Sequence, residues 1–97
     1  MYARLMHVTL KPECVDTAAA LWPQAVGEYK SAGLHAGYMF VIDREKGKVL
    51  SVTIWDSEEA CRANEQDGAL GKGIAPFLPL FAADPWNEHA HVGAKVL

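Results

Sequence analysis

Apolar and polar positions alternate with period two in four stretches and recur at helical spacing in two. The sharpest alternation runs from Val49 to Trp55, where Leu50, Val52 and Ile54 interleave with Val49, Ser51, Thr53 and Trp55. This is a strand with two different faces. It ends at Asp56, where a helix is expected from Ser57 to about Gln66. Asp56 suits the N-cap, with Glu59 at capping-box spacing and Glu58 and Glu59 in a first turn that favours carboxylates. Tyr2 to Leu10 alternates in the same way, with Arg4, Met6, Val8 and Leu10 on one side and Leu5 and His7 on the other. Pro12 closes that strand, because proline cannot donate to a ladder but tolerates a helix start.

Val15, Ala18, Ala19, Trp22, Ala25, Val26 and Tyr29 form one apolar stripe of a helix expected over Glu13 to Ala32. Pro23 lies inside it and predicts a kink or a restarted turn. Gly33 is placed to close the helix in the left-handed conformation. Leu34 to Asp43 is a second strand, apolar on both sides, with Tyr38, Phe40 and Ile42 on one and Met39 and Val41 on the other. The charged run Asp43 to Gly47 then turns a hairpin, with Gly47 at positive φ. A one-residue slip there would invert which faces of the two strands coincide. Beyond the second helix, GALGKG has phosphate-loop-like glycines without the Walker spacing or a strand before them, which argues against nucleotide binding. IAPFLPLF, Ile74 to Phe81, reads as a short turn over the core, Ala82 to Trp86 as a loop, and Asn87 to Val96 as a fourth strand.

The order strand, helix, strand, strand, helix, strand is the split βαβ pattern. It predicts one α+β, ferredoxin-like domain over residues 1–97: a four-stranded antiparallel sheet with both helices on one face. The other face has no cover within the chain. Strand two is apolar on both sides, and Leu5, Val49 and Trp55 are assigned to the uncovered sides of strands one and three. A twofold partner would hide them, so a homodimer is expected.

Composition narrows the partners. The 97 residues are 51% hydrophobic with a net charge of −3, and contain no run of Lys or Arg. That leaves no electrostatic footprint for nucleic acid or an anionic membrane, and no apolar run approaches the ~20 residues of a membrane span. Cys14 and Cys61 follow no metal or redox spacing and read as reduced thiols of a cytoplasmic protein.

Three groups of residues carry candidate chemistry. Trp22, Tyr29, Trp55, Phe77 and Phe81 can wall an aromatic pocket or can be ordinary core; Arg4 and Asn64 are the polar groups best placed to reach such a pocket. His7 and His35 can titrate near neutrality and take a phenolic proton. His89 and His91 lie two apart on a strand that should pair with the first, where His7 can join them. These three are the only weak metal candidates, and the sequence offers them no carboxylate support, so no metal is expected.

With MHVTLKPE at the first strand-to-helix turn, the hairpin DREKGKVLSVTIWDSEEACRA and the closing strand HAHVGAKV, nearly the whole chain resembles the dimeric α/β-barrel superfamily. It looks most like the antibiotic biosynthesis monooxygenase (ABM) group. The resemblance implies a ligand held between the sheet and its own helices, and oxidation of a small phenolic or quinol ring by O2 with no cofactor. It also admits a non-catalytic barrel that binds a small metabolite or serves in assembly. The heme-degrading branch uses an Asn on the first strand, a Trp on the second helix and a His beyond it. This chain has none of these at the matching places, which argues against heme breakdown.

Overall fold

The computed structural model describes all of residues 1–97. Its strands are β1 (Tyr2–Thr9), β2 (Leu34–Asp43), β3 (Lys48–Trp55) and β4 (Trp86–His91). Its α-helices are α1 (Val15–Gly27), α2 (Glu58–Gln66) and the short α3 (Ala69–Ile74). The strands form one antiparallel sheet in the order β2-β3-β1-β4. This is the ferredoxin-like α+β arrangement expected from the hydrophobic pattern.

Register decides which side chains meet the helices. Val8 pairs with Val49, Arg4 with Thr53, and Arg4 with His89 across the other edge of β1. The helix-facing side of the sheet therefore carries Arg4, Met6, Val8 and Leu10 from β1 and Val49, Ser51, Thr53 and Trp55 from β3. The sequence pattern assigns Val49 and Trp55 to the uncovered side. They lie instead in the core, and Trp55 is 0% exposed. The β1–β3 register sets this arrangement, and the β2–β3 hairpin, with a register shift between Val41 and Asp43, brings Met39 and Val41 of β2 to the same side. The open face carries Leu5 and His7 of β1, Leu50, Val52 and Ile54 of β3, and Tyr38, Phe40 and Ile42 of β2.

Two buried clusters hold the layers together. Met6, Val8, Leu10, Val15, Ala18 and Val49 form one; Tyr2, Tyr29, Trp55 and Cys61 form the other. Helix α1 runs through Pro23 and stops at Gly27, five residues earlier than its apolar stripe predicts. A 3-10 turn at Lys30–Ala32 follows, and Gly33 closes it at φ 100°. The cap of α2 is Ser57, whose Oγ accepts from the Ala60 amide at 3.1 Å. Asp56 instead spends its amide on the Gly33 carbonyl at 2.9 Å, tying the corner to the end of the first helical segment. Strand β4 ends at His91 rather than Val96, because its partner β1 begins at Tyr2 and the last bond between them runs from the Val92 amide to the Met1 carbonyl at 3.0 Å. The glycine-rich stretch folds as α3, followed by a 3-10 turn over Ala75–Leu80.

Gly47 is required at the hairpin. Its φ is 70°, and a Cβ there would overlap the Leu10 carbonyl oxygen. We expect Gly47→Ala to lower stability by well over ~1 kcal/mol, since a positive φ and a backbone clash add. Thermal unfolding followed by circular dichroism should show a Tm decrease of at least about 4 °C.

Candidate functional site

A cavity of about 70 Å³ lies between the sheet and its own helices. Trp22 and Val26 of α1, with Tyr29 just beyond its end, form one wall and Met6, Met39 and Val49 of the sheet form the floor. Leu70, Ile74, Phe77 and Phe81 form the roof. Four aromatic residues predicted for the pocket, Trp22, Tyr29, Phe77 and Phe81, are thus brought together. Gly37 makes room for the indole of Trp22, because a Cβ there would lie 3.0 Å from its ring. A wider hollow of about 580 Å³ adjoins the cavity between α1 and α3 and shares Ala25, Tyr29, Gly73 and Phe77 with it. Gln24, Glu28 and Lys72 stand at this outer hollow.

The polar groups of the cavity are few and of one kind. Arg4 lines it although only 3% of the residue is exposed. Its Nη1 donates to Asn64 Oδ1 at 2.9 Å and to Glu65 Oε2 at 3.3 Å, and the guanidinium lies over the Trp55 ring at 5.3 Å from the centroid. Asn64 and Trp55 do not line the cavity; they set Arg4 in place from behind. Ser51 accepts from Trp22 Nε1 at 3.0 Å and Thr53 from Trp55 Nε1 at 2.9 Å. Each hydroxyl hydrogen is then free to point elsewhere. Burial pushes the Tyr29 phenol above its ordinary range, against the lowering effects of Arg4 and of the Asn64 amide beside it. Tyr29 is therefore neutral at pH 7 and a donor, weakly engaged with the Ala69 carbonyl at 3.3 Å. Asn64 Nδ2 is buried without a well-formed hydrogen bond of its own. The end of an apolar cleft is thus rich in N–H and O–H groups and holds one cation.

The histidines lie elsewhere. His7 sits on the open sheet face, stacked on Trp86 at 3.9 Å and 2.6 Å from Glu88 Oε1. His35 is exposed near Asp56, 3.8 Å away. Neither reaches the cleft, so neither is placed to take a proton from a ring bound there. His89 and His91 pair with Arg4 and Tyr2 and share the helix-facing side. His7 is therefore on the opposite side of the sheet from them, and no three-histidine cluster forms. His89 instead binds Glu65 Oε2 at 2.7 Å.

Glu65 was not singled out in the sequence, yet it joins Arg4, His89 and Cys61. Burial raises its pKa, but the hydrogen bonds from His89 and Arg4 outweigh this and hold it below the ordinary 4.5. A carboxylate depressed in the fold stabilises above its unfolded pKa and loses that contribution as pH falls through the folded value. We expect native stability to drop below about pH 4.5, and Glu65→Gln to flatten part of that drop in urea titrations at pH 3 to 7.

No family model matches the sequence, and no curated protein matches it. Solved structures do. One antibiotic biosynthesis monooxygenase superposes with a TM-score of 0.74 at 15% identity, over 97% of this chain and 100% of its own. A Bordetella bronchiseptica protein provisionally given the same name has a TM-score of 0.79 at 17% identity, over 99% and 97%. A Caulobacter crescentus protein, also provisionally so named, has 0.78 at 13%, over 96% and 90%. The fold is that of the antibiotic biosynthesis monooxygenases. At these identities the ABM likeness establishes architecture, and the chemistry has to be argued from this chain's own residues.

Proposed function

We propose that this chain is a homodimeric, cytoplasmic, ABM-type monooxygenase that oxidises a small phenolic or quinol ring with O2 and no cofactor. The donor-rich end of the aromatic cleft carries the reading. A phenolate oxygen there would accept from Arg4, Tyr29, Ser51 or Thr53 in a site shielded from water, where such bonds are strongest. Holding the substrate as its anion raises the electron density that O2 must take up. For an anthrone-type ring the balance is one CH2 and one O2 giving one ring carbonyl and one water. No carboxylate or imidazole lines the inner cavity, so the substrate enters as the anion or gives its proton to solvent at the outer hollow beside Glu28. Names of the neighbouring folds support the same class.

A second reading rests on size. About 70 Å³ is well short of the ~150 Å³ that holds a benzene ring in an engineered cavity. A ring can enter only if the roof moves outward toward the wider hollow. A chain whose own side chains keep the cleft narrow would instead bind a smaller apolar metabolite without turnover.

The open sheet face supports the dimer. Tyr38 and Ile42 are 56% and 63% exposed, and Phe40 and Trp86 about half. A second copy of the chain docked about a twofold axis would remove this face from water. The activity test is oxygen uptake with a panel of naphthols and anthrones, using boiled protein as control. Uptake that rises with pH through the substrate's phenol pKa is expected. Clear binding without uptake would favour the metabolite-binding reading.

A further inference from the structure

Behind Arg4, on the side away from the cleft, Cys61 and Glu65 of α2 meet His89 of β4. The spacing of four residues puts Cys61 and Glu65 on one face of the helix, and the pairing of His89 with Arg4 brings its ring to the same point. Glu65 Oε2 lies 2.7 Å from His89 Nε2 and 3.5 Å from Cys61 Sγ. All three ligand atoms lie within 4.8 Å of one another. We propose that Cys61, Glu65 and His89 form a binding site for a thiophilic divalent cation, zinc or cobalt, with a fourth position open to water.

The donor set fits that chemistry: one sulfur, one imidazole nitrogen and one carboxylate oxygen, with an open position, match the ligand types and count zinc takes in four-coordinate sites. The side chains of Glu65 and His89 are 20% and 18% exposed, so an ion can arrive from solvent, whereas Cys61 is fully buried and anchors the inner end. Binding replaces the Cys61 S–H bond with a sulfur–metal bond and releases one proton. Burial holds the Cys61 thiol up at about 11, and Arg4 and Arg62 stand nearby, so affinity is expected to be weaker than in a closed structural site. Arg4 would keep Asn64 but share Glu65 Oε2 with the ion, so occupancy would loosen the cation at the head of the cleft. The site is independent of the oxygenase reading, since none of its three ligands lines the cavity.

The test is a cobalt(II) titration of the native, reduced protein. A thiolate-to-cobalt charge-transfer band saturating at one ion per chain and displaced by zinc is expected. Cys61→Ala and His89→Gln should each abolish it with unchanged circular dichroism, and Cys14→Ser should leave it intact. X-ray absorption of the zinc-loaded native protein serves if those variants fail to fold, and one sulfur with nitrogen and oxygen ligands is then expected. Absence of the band, its survival in Cys61→Ala, its loss in Cys14→Ser, or a zinc shell without sulfur would overturn the proposal.

Discussion

Replacing Arg4 with methionine is expected to abolish the preference of the cleft for phenolate ligands while leaving its affinity for neutral aromatic bodies nearly unchanged. Methionine keeps the apolar stem and much of the volume, so the cleft walls stay in place. What disappears is the only cation that lines the cavity. A hydrogen bond to a charged group contributes about 1.5–3 kcal/mol, so anion binding should weaken roughly 10- to 150-fold. Oxygen uptake should fall at least as far if the anion is the reacting form. Stability should also drop, because Asn64 Oδ1 loses its donor and Trp55 its stacked cation. Glu65 keeps His89 and is partly exposed, so the loss should stay below the 3–5 kcal/mol typical of a broken buried pair. Arg4→Lys should recover only part of the binding, since a compact, strongly hydrated ammonium has no planar guanidinium to lie over Trp55 while one of its nitrogens meets Asn64 and Glu65.

The second large effect belongs to the open sheet face. Val52 pairs with Leu5 on one side and Tyr38 on the other, near the centre of that face. Val52→Glu is expected to give a folded monomer, with light scattering at micromolar concentration falling from twice the chain mass to the chain mass. A charge at Leu5 should act in the same direction. Val49→Glu should do something different. Val49 is 6% exposed and packs with Met6, Val8 and Val15, so a carboxylate there is buried without a partner and should unfold the domain. A native protein that is a monodisperse monomer with intact fold would remove the dimer from the proposed function and leave the cleft untouched.

The contrast between Val49 and Val52 shows where sequence reasoning ran out. Alternation located β3 and separated its two faces, but which face met the helices depended on its register with β1, which pairs Val49 with Val8 and Val52 with Leu5. The same register places Trp55 opposite Tyr2, and the separate β1–β4 register pairs His89 with Arg4, leaving His7 on the other side of the sheet. Trp22, Tyr29, Phe77 and Phe81 were legible as a cleft because helical spacing and two prolines fixed their elements. Arg4 had a plain signal, a charge in a series otherwise made of Met6, Val8 and Leu10. Cys61 read only as a reduced thiol and Glu65 carried no reading, because His89 joins them only through the strand pairing. The α2 cap moved by one residue because Ser57 Oγ reaches the Ala60 amide while Asp56 is drawn to Gly33.

The most direct measurement compares 2-naphthol with its methyl ether by isothermal titration, above the pH at which the naphthol ionises. Both present the same aromatic body, and only the naphtholate presents an anionic oxygen to Arg4. If Arg4 holds the anionic oxygen, the native protein binds the naphtholate at least about tenfold more tightly and Arg4→Met erases the difference. Equal affinities in the native protein, or a preference that persists in Arg4→Met, would contradict it.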